Sequence, residues 1–155
     1  MSDTEPVIRV LAQNRKARHE FEILEELECG IELTGTEVKS LRAGGASIAE
    51  SFAMVKRGEL WLMGAHIPEY KQGNAFNHVP TRDRKLLLHA REIADWHKRV
   101  KERGMTIVPL ALYFKGARVK LSIALARGKK QYDKRAVMKE RDDRRDMERA
   151  LSRRR

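Results

Sequence analysis

Apolar positions recur with a period of two along much of this chain, and a helical spacing interrupts them twice. In residues 21–33, Phe21/Ile23 and Ile31/Leu33 carry the alternation, which predicts two strands hinged about Cys29-Gly30. Residues 36–43 switch to a short helix: Val38 and Leu41 stand three apart, and Gly44-Gly45 provides a stop by tolerating positive φ. Residues 52–63 return to strand spacing on both sides of Lys56-Arg57-Gly58-Glu59, with Phe52/Met54 on one side and Leu60/Leu62 on one face. Residues 70–78, with Gly73 and two asparagines, read as loop. Residues 81–103 read as one packing helix, in which Leu86, Leu87 and Leu88 cluster and Ile93, Trp96 and Val100 share a face before Gly104. The clearest hairpin spans 107–113 and 119–125, where Val119, Leu121, Ile123 and Leu125 alternate with Arg118, Lys120, Ser122 and Ala124. Lys120 is therefore expected to face away from the core. Pro109, lacking an amide donor, is expected at an edge or a bulge.

About six short strands and one main helix predict a mainly β, α+β fold, a small antiparallel OB-like barrel with flanking helices. The expected organisation is a flexible N-terminus at 1–12, the barrel at 13–127 and a basic C-terminal tail at 128–155. No internal repeat is visible.

Charge sharpens this division. The chain has 33 Lys and Arg against 22 Asp and Glu, a formal net charge of +11, which favours phosphate-rich partners through counterion release. Residues 1–126 hold 20 basic and 16 acidic side chains, whereas residues 127–155 hold 13 and 6. That last segment has too few large apolar residues to offset its ordering entropy, so disorder in the free protein is expected. Residues 137–151 contain good helix formers, no Gly or Pro, and acids spaced for i,i+4 pairs with arginine, so folding on a partner is expected. No apolar run approaches the roughly 20 residues of a spanning helix, and residues 1–9 lack an apolar signal-peptide core; a cytoplasmic protein is the expectation.

Candidate chemistry is sparse. Cys29 is the single cysteine, with no partner for an internal disulfide or a cysteine-based metal site. The five histidines, His19, His66, His78, His89 and His97, include no i,i+3 or i,i+4 pair, so no metal or other cofactor is expected. Gly128-Lys129-Lys130 lacks the preceding glycine of a phosphate-cradling loop, Ile123 standing in its place. Glu25, Glu26 and Glu28 read as a solvated or ion-paired strand face rather than acid/base groups. No catalytic constellation is legible, and a small RNA-processing hydrolase is the disfavoured alternative.

Three segments go beyond composition: Asn14-Arg15-Lys16-Ala17-Arg18-His19-Glu20, Gly35-Thr36-Glu37-Val38-Lys39-Ser40-Leu41-Arg42-Ala43-Gly44, and Pro80-Thr81-Arg82-Asp83-Arg84-Lys85-Leu86-Leu87-Leu88. With Leu112-Tyr113-Phe114-Lys115 and Ala126-Arg127-Gly128-Lys129-Lys130-Gln131-Tyr132-Asp133-Lys134-Arg135, they resemble the SsrA-binding protein family over nearly all of residues 10–135. The resemblance implies an OB-like barrel that binds the tRNA-like domain of transfer-messenger RNA (tmRNA). It implies no catalysis, but delivery of that RNA, alanylated and carried by elongation factor Tu, to the vacant A site of stalled ribosomes for trans-translation. A monomer in the free state is expected.

The matching positions acquire physical roles. By this resemblance Asn14, Lys16 and Arg18, before the first strand, are expected to form a polar and cationic lip for phosphates and unpaired bases, an ordinary basic surface being the alternative. The resemblance further puts Glu28, Leu87 and Lys120 at the RNA surface, with Lys120 on phosphate, Leu87 against an unstacked base and Glu28 accepting from base or ribose donors. From its own sequence neighbourhood Leu87 reads as core. In the tail, Gly128 permits a turn out of the barrel, Lys129, Lys130, Lys134 and Arg135 suit ribosomal RNA phosphates beside Asp133, and Tyr132 suits stacking on a base. Tyr132 stands where some members carry histidine and cannot gain an imidazolium charge. The implied site of the tail is the decoding centre and messenger channel of the small subunit. A different ribosome-associated barrel without preference for this RNA is the competing expectation.

Overall fold

In a computed structural model, described for residues 6–73, 76–129, 145 and 147, the elements run β1 (Ile8–Gln13), α1 (Arg15–Glu20), β2 (Phe21–Ile31), α2 (Gly35–Ala43), β3 (Phe52–Lys56), β4 (Glu59–Met63), β5 (Arg84–Leu87), α3 (Ala90–Arg103), β6 (Thr106–Lys115) and β7 (Arg118–Gly128). All ladders are antiparallel. β2 pairs with β7 and β5, β4 with β5 and β3, and β6 with β7. The Ala53↔Ile107 pairing of β3 with β6 completes the circuit. Six strands thus close a barrel without an open edge, and the expected α+β class and barrel hold.

The seventh strand corrects the reading of residues 1–12 as a flexible terminus. β1 pairs with β6 from Ile8↔Lys115 to Gln13↔Ala111, beyond the point where β3 leaves β6. A register shift between Pro109 and Ala111 marks that departure, and Pro109 lies at it, as its missing amide predicts. The backbone groups of β6 past the bulge need partners, and β1 supplies them. Ile8 and Val10 remain half exposed, and the residues that pack on the core, Leu11 and Ala12, are adjacent, so no sustained alternation announces this strand.

Two further expectations need correction. Residues 21–31 form one continuous strand, not two: Gly30 makes no turn but pairs with Leu87 on one side and Lys120 on the other. Residues 84–87, read as the start of a helix, are β5, and the helix begins only at Ala90. Three consecutive leucines carry no period, and pairing decides their direction: Leu86 points inward opposite Leu60, while Leu87 points out.

The interior is filled by Leu60, Leu62, Leu86, Leu112, Leu121, Ile123 and Leu125 from the strands, joined by Leu41 from α2 and by Ile93 and Trp96 from α3. Trp96 is the core residue its helical spacing predicts. α1 covers part of the outside instead. Ala17 packs on Val108, Leu110, Ala124 and Ala126, which buries β7 on both faces there.

One charged cluster is sealed inside. Glu37 and Arg84 are both fully buried. The Glu37 carboxylate accepts from Arg84 Nε at 2.5 Å, from Arg82 and from the Thr34 amide at 2.8 Å. The remaining Arg84 donors reach the carbonyls of Ala65, Pro80 and Arg82 at 2.9–3.0 Å. Burial alone would push the Glu37 carboxyl up, but the Arg82, Thr34 and Arg84 contacts outweigh it and hold the group below the usual carboxylate range. A carboxyl depressed by folding contributes stability above its unfolded pKa, which is lost as pH falls through the folded value. Glu37→Gln leaves Arg84 buried beside a neutral amide, and is expected to cost about 3–5 kcal/mol in urea unfolding at neutral pH. The deficit should shrink in acid; a variant as stable as the parent at pH 7 would refute the role of this ion pair.

Candidate nucleic-acid interface

Because directly opposed residues in an antiparallel ladder share a face, the registers alone assemble a surface from four strands of the barrel and β1. Leu87 of β5 opposes Gly30 of β2, Gly30 opposes Lys120 of β7, Lys120 opposes Tyr113 of β6, and Tyr113 opposes Val10 of β1. The row runs along the outside, since the intervening residues Leu86, Cys29, Leu121 and Leu112 are core. Leu87 is 48% exposed, so its surface role, which no local pattern suggests, is physically open. Gly30 lets the Leu87 side chain lie close over β2: a Cβ at Gly30 would stand 3.3 Å from Leu87 Cβ and 3.5 Å from its Cδ1. Lys120 makes no salt bridge among the described residues and faces away from the core as expected.

Glu28 lies two residues before Gly30 on the same face. Its carboxylate accepts from the Tyr113 hydroxyl at 2.5 Å and from Lys115 Nζ at 3.1 Å. The Tyr113 hydrogen bond is the main reason that the Glu28 pKa lies below the ordinary range; partial burial opposes the shift, and Lys115 and Lys120 add to it. Burial and the facing carboxylate together raise the Tyr113 pKa, so the phenol keeps its proton and donates. This makes Glu28 an anionic acceptor with a fixed orientation, suited to N–H or hydroxyl donors of a base or ribose. Tyr113 and Lys115 were not singled out by sequence reasoning. A two-residue turn at Gly116-Ala117 pairs Lys115 with Arg118 and hence Tyr113 with Lys120, so the hairpin's register held the signal.

The N-terminal lip divides. Arg18 pairs with Glu26 at 3.0 Å, at the lower end of the same face. Lys16 leans toward Glu50 at 3.4 Å, with both groups largely exposed. Asn14 departs from its expected place in an open lip: it is only 6% exposed. Its Oδ1 accepts from the Ala17 amide at 3.3 Å as the N-cap of α1, and its Nδ2 donates to the Pro109 carbonyl at 3.0 Å. It anchors α1 to the β6 bulge. Of the tail positions, Gly128 ends β7 opposite Phe21 and Lys129 is exposed; Lys130, Tyr132, Asp133, Lys134 and Arg135 lie outside the described residues. Among the described residues no cluster of three or more His, Cys, Asp or Glu side chains suits a metal ion. Cys29 is buried, which pushes its thiol up to about 12, and it is inert as a nucleophile at neutral pH.

A family model described as SmpB protein matches residues 11–153. The chain belongs to the SmpB family. Proteins named SsrA-binding protein from Kineococcus radiotolerans and Thermobifida fusca are similar to it, at 58% identity over 94% of both chains and 56% over 95% of this chain and 92% of the other. Among solved structures, a chain from "tmRNA-SmpB: a journey to the center of the bacterial ribosome" is 48% identical with a TM-score of 0.63, covering 76% of this chain and 82% of that one. In this SmpB-family chain, then, the outward row of β5, β2, β7 and β6 is the surface on which Leu87, Glu28 and Lys120 converge.

Two measurements separate contact from support. In Tyr113→Phe the Glu28 carboxyl, followed by carbon-detected NMR, should titrate at higher pH than in the parent, because its principal stabilising donor is gone; an unmoved midpoint would exclude the hydrogen bond. Asn14→Ala is expected to lower unfolding stability by about 0.5–2 kcal/mol through loss of the cap. A variant of parental stability would return Asn14 to a direct contact role.

Proposed function

We propose that this protein binds the tRNA-like domain of tmRNA on the outer face of β5, β2, β7 and β6 and carries it to the vacant A site of stalled ribosomes. There translation resumes on the RNA's own message and tags the stalled product. The observation that carries the reading is the convergence around Gly30 of Lys120, which makes no salt bridge among the described residues, an exposed Leu87 and an oriented Glu28. Lys120 neutralises a phosphate, Leu87 covers the face of an unstacked base, and Glu28 accepts from a donor edge, a combination suited to an irregular RNA loop rather than a uniform duplex. Arg18 extends the phosphate track. The protein acts by shape and charge, with no reaction of its own and no cofactor. Elongation factor Tu joins through the alanylated RNA, and the free protein is a cytoplasmic monomer; no helix among the described residues is long and apolar enough to cross a membrane.

The basic tail, residues 128–155, is assigned the second task. Its cationic side chains, with Tyr132 for stacking, engage the decoding centre, and residues 136–155 form a helix in the messenger channel. β7 runs to Gly128, so a truncation after Lys129 removes all of the tail but its first two residues while keeping every ladder pair. That variant should retain affinity for the tRNA-like domain and lose peptide tagging in a reconstituted translation system. Tagging that persists would overturn the delivery mechanism. In competition at moderate salt, the full chain should prefer tmRNA over an elongator tRNA; equal affinities would reduce the interface to unspecific phosphate attraction.

A further inference from the structure

The outside of β3, β4 and β5 is apolar where a solvated sheet face should be polar. Ala53, Leu60, Leu62 and Leu86 supply the core from these strands, so their outward neighbours are expected to be hydrophilic. Instead the ladder pairs Phe52 with Met63 and Met54 with Trp61, and Trp61 in turn with Lys85. Phe52 is 45% and Met54 40% exposed, and Trp61 and Met63 are half-buried. A contiguous exposed apolar patch of this kind marks an interaction site.

Its surroundings indicate the occupant. The strip abuts the interface described above, because Lys85 and Leu87 leave β5 on the same outward side. Its acidic neighbours are already paired, Glu59 with Lys85 at 3.3 Å and Asp83 with Lys56 at 3.7 Å. Arg57 stands exposed at the β3–β4 turn. An apolar, aromatic platform with its acids neutralised, an exposed arginine at its rim and the Lys120 face beside it has the chemistry of a single-strand stacking surface.

We propose that Trp61, flanked by Met54 and Phe52, is a stacking platform for unpaired bases of the same RNA that Leu87 and Lys120 engage. This rests on the proposed RNA-binding role of that face. Trp61 stacks on a base, Phe52 and Met54 cover its neighbour, and Lys56, Arg57 and Lys85 follow the backbone.

The two tryptophans make the test direct, since Trp96 is 1% exposed within the core and only Trp61 can meet a ligand. Titrating the full chain with the tRNA-like-domain RNA should quench the Trp61 emission, and Trp61→Phe, which can still stack, should remove the quench while retaining most affinity. Trp61→Leu, verified as folded by circular dichroism and melting, should weaken binding about five- to hundredfold. Leu87→Ala serves as the reference for the neighbouring face. If Leu87→Ala loses affinity while Trp61→Leu binds as the parent does and the emission is unmoved, the platform is refuted and the RNA-binding face stands. If the parent has no preference for this RNA, both readings fall. Concentration-dependent self-association in sedimentation, abolished by Trp61→Leu without any change in RNA affinity, would make the strip a contact between copies and refute the platform.

Discussion

The buried ion pair between Glu37 and Arg84 holds the parts of this molecule in relation. α2 and β5 are far apart in the chain, and Arg84 ties them through the Glu37 carboxylate while also binding three backbone carbonyls. A charge so deeply sealed is tolerable only if every donor finds an acceptor, and that requirement leaves β5 one position. With Arg84 directed inward, the strand pleat sends Leu86 into the core and Leu87 to the surface. A slip of one residue would exchange the two. The exposed leucine of the interface is thus set by a buried arginine three residues earlier.

The interface follows from the same pleat carried across the barrel. Leu87, Glu28, Lys120 and Tyr113 come from four strands with no two neighbours in sequence, yet closure of the ring fixes their mutual register. Rigidity here is a property of the core: Leu121, Ile123 and Leu125 are wholly buried, and each outward residue of β7 sits between two of them or at their border. α1 then limits the open area by covering Ala124 and Ala126.

The elements legible in the sequence were those whose burial is one-sided and local. The β6–β7 hairpin declares itself because its inward residues are strictly alternating and apolar, and α3 because Ile93, Trp96 and Val100 keep helical spacing. β5 does not, since its first inward position is an arginine and the run Leu86, Leu87 and Leu88 carries no period. β1 is unreadable for a different reason: it answers the unpaired backbone of β6, and the two of its residues that reach the core, Leu11 and Ala12, are adjacent and carry no period. Asn14 looks like a surface residue until the bulge carbonyl of Pro109, distant in the chain, comes to meet it. For Leu87, the resemblance to a family supplied what periodicity contradicted. For Tyr113, neither did, although counting back from the Gly116-Ala117 turn places it opposite Lys120.

The carboxylates on this candidate RNA face are already engaged. Glu26 is occupied by Arg18, and Glu28 by Tyr113 and Lys115. These ion pairs are too exposed to add much stability, but each cancels a charge that would repel RNA. Among the described residues Lys120 makes no salt bridge, so its charge remains available to a phosphate on this part of the face. An acid held in place among cations costs little long-range attraction and retains its lone pairs for a specific donor, which a neutral side chain would present more weakly. Affinity and discrimination can therefore come from adjacent residues of opposite sign, provided that Tyr113 and Lys115 keep the acid from turning toward Lys120.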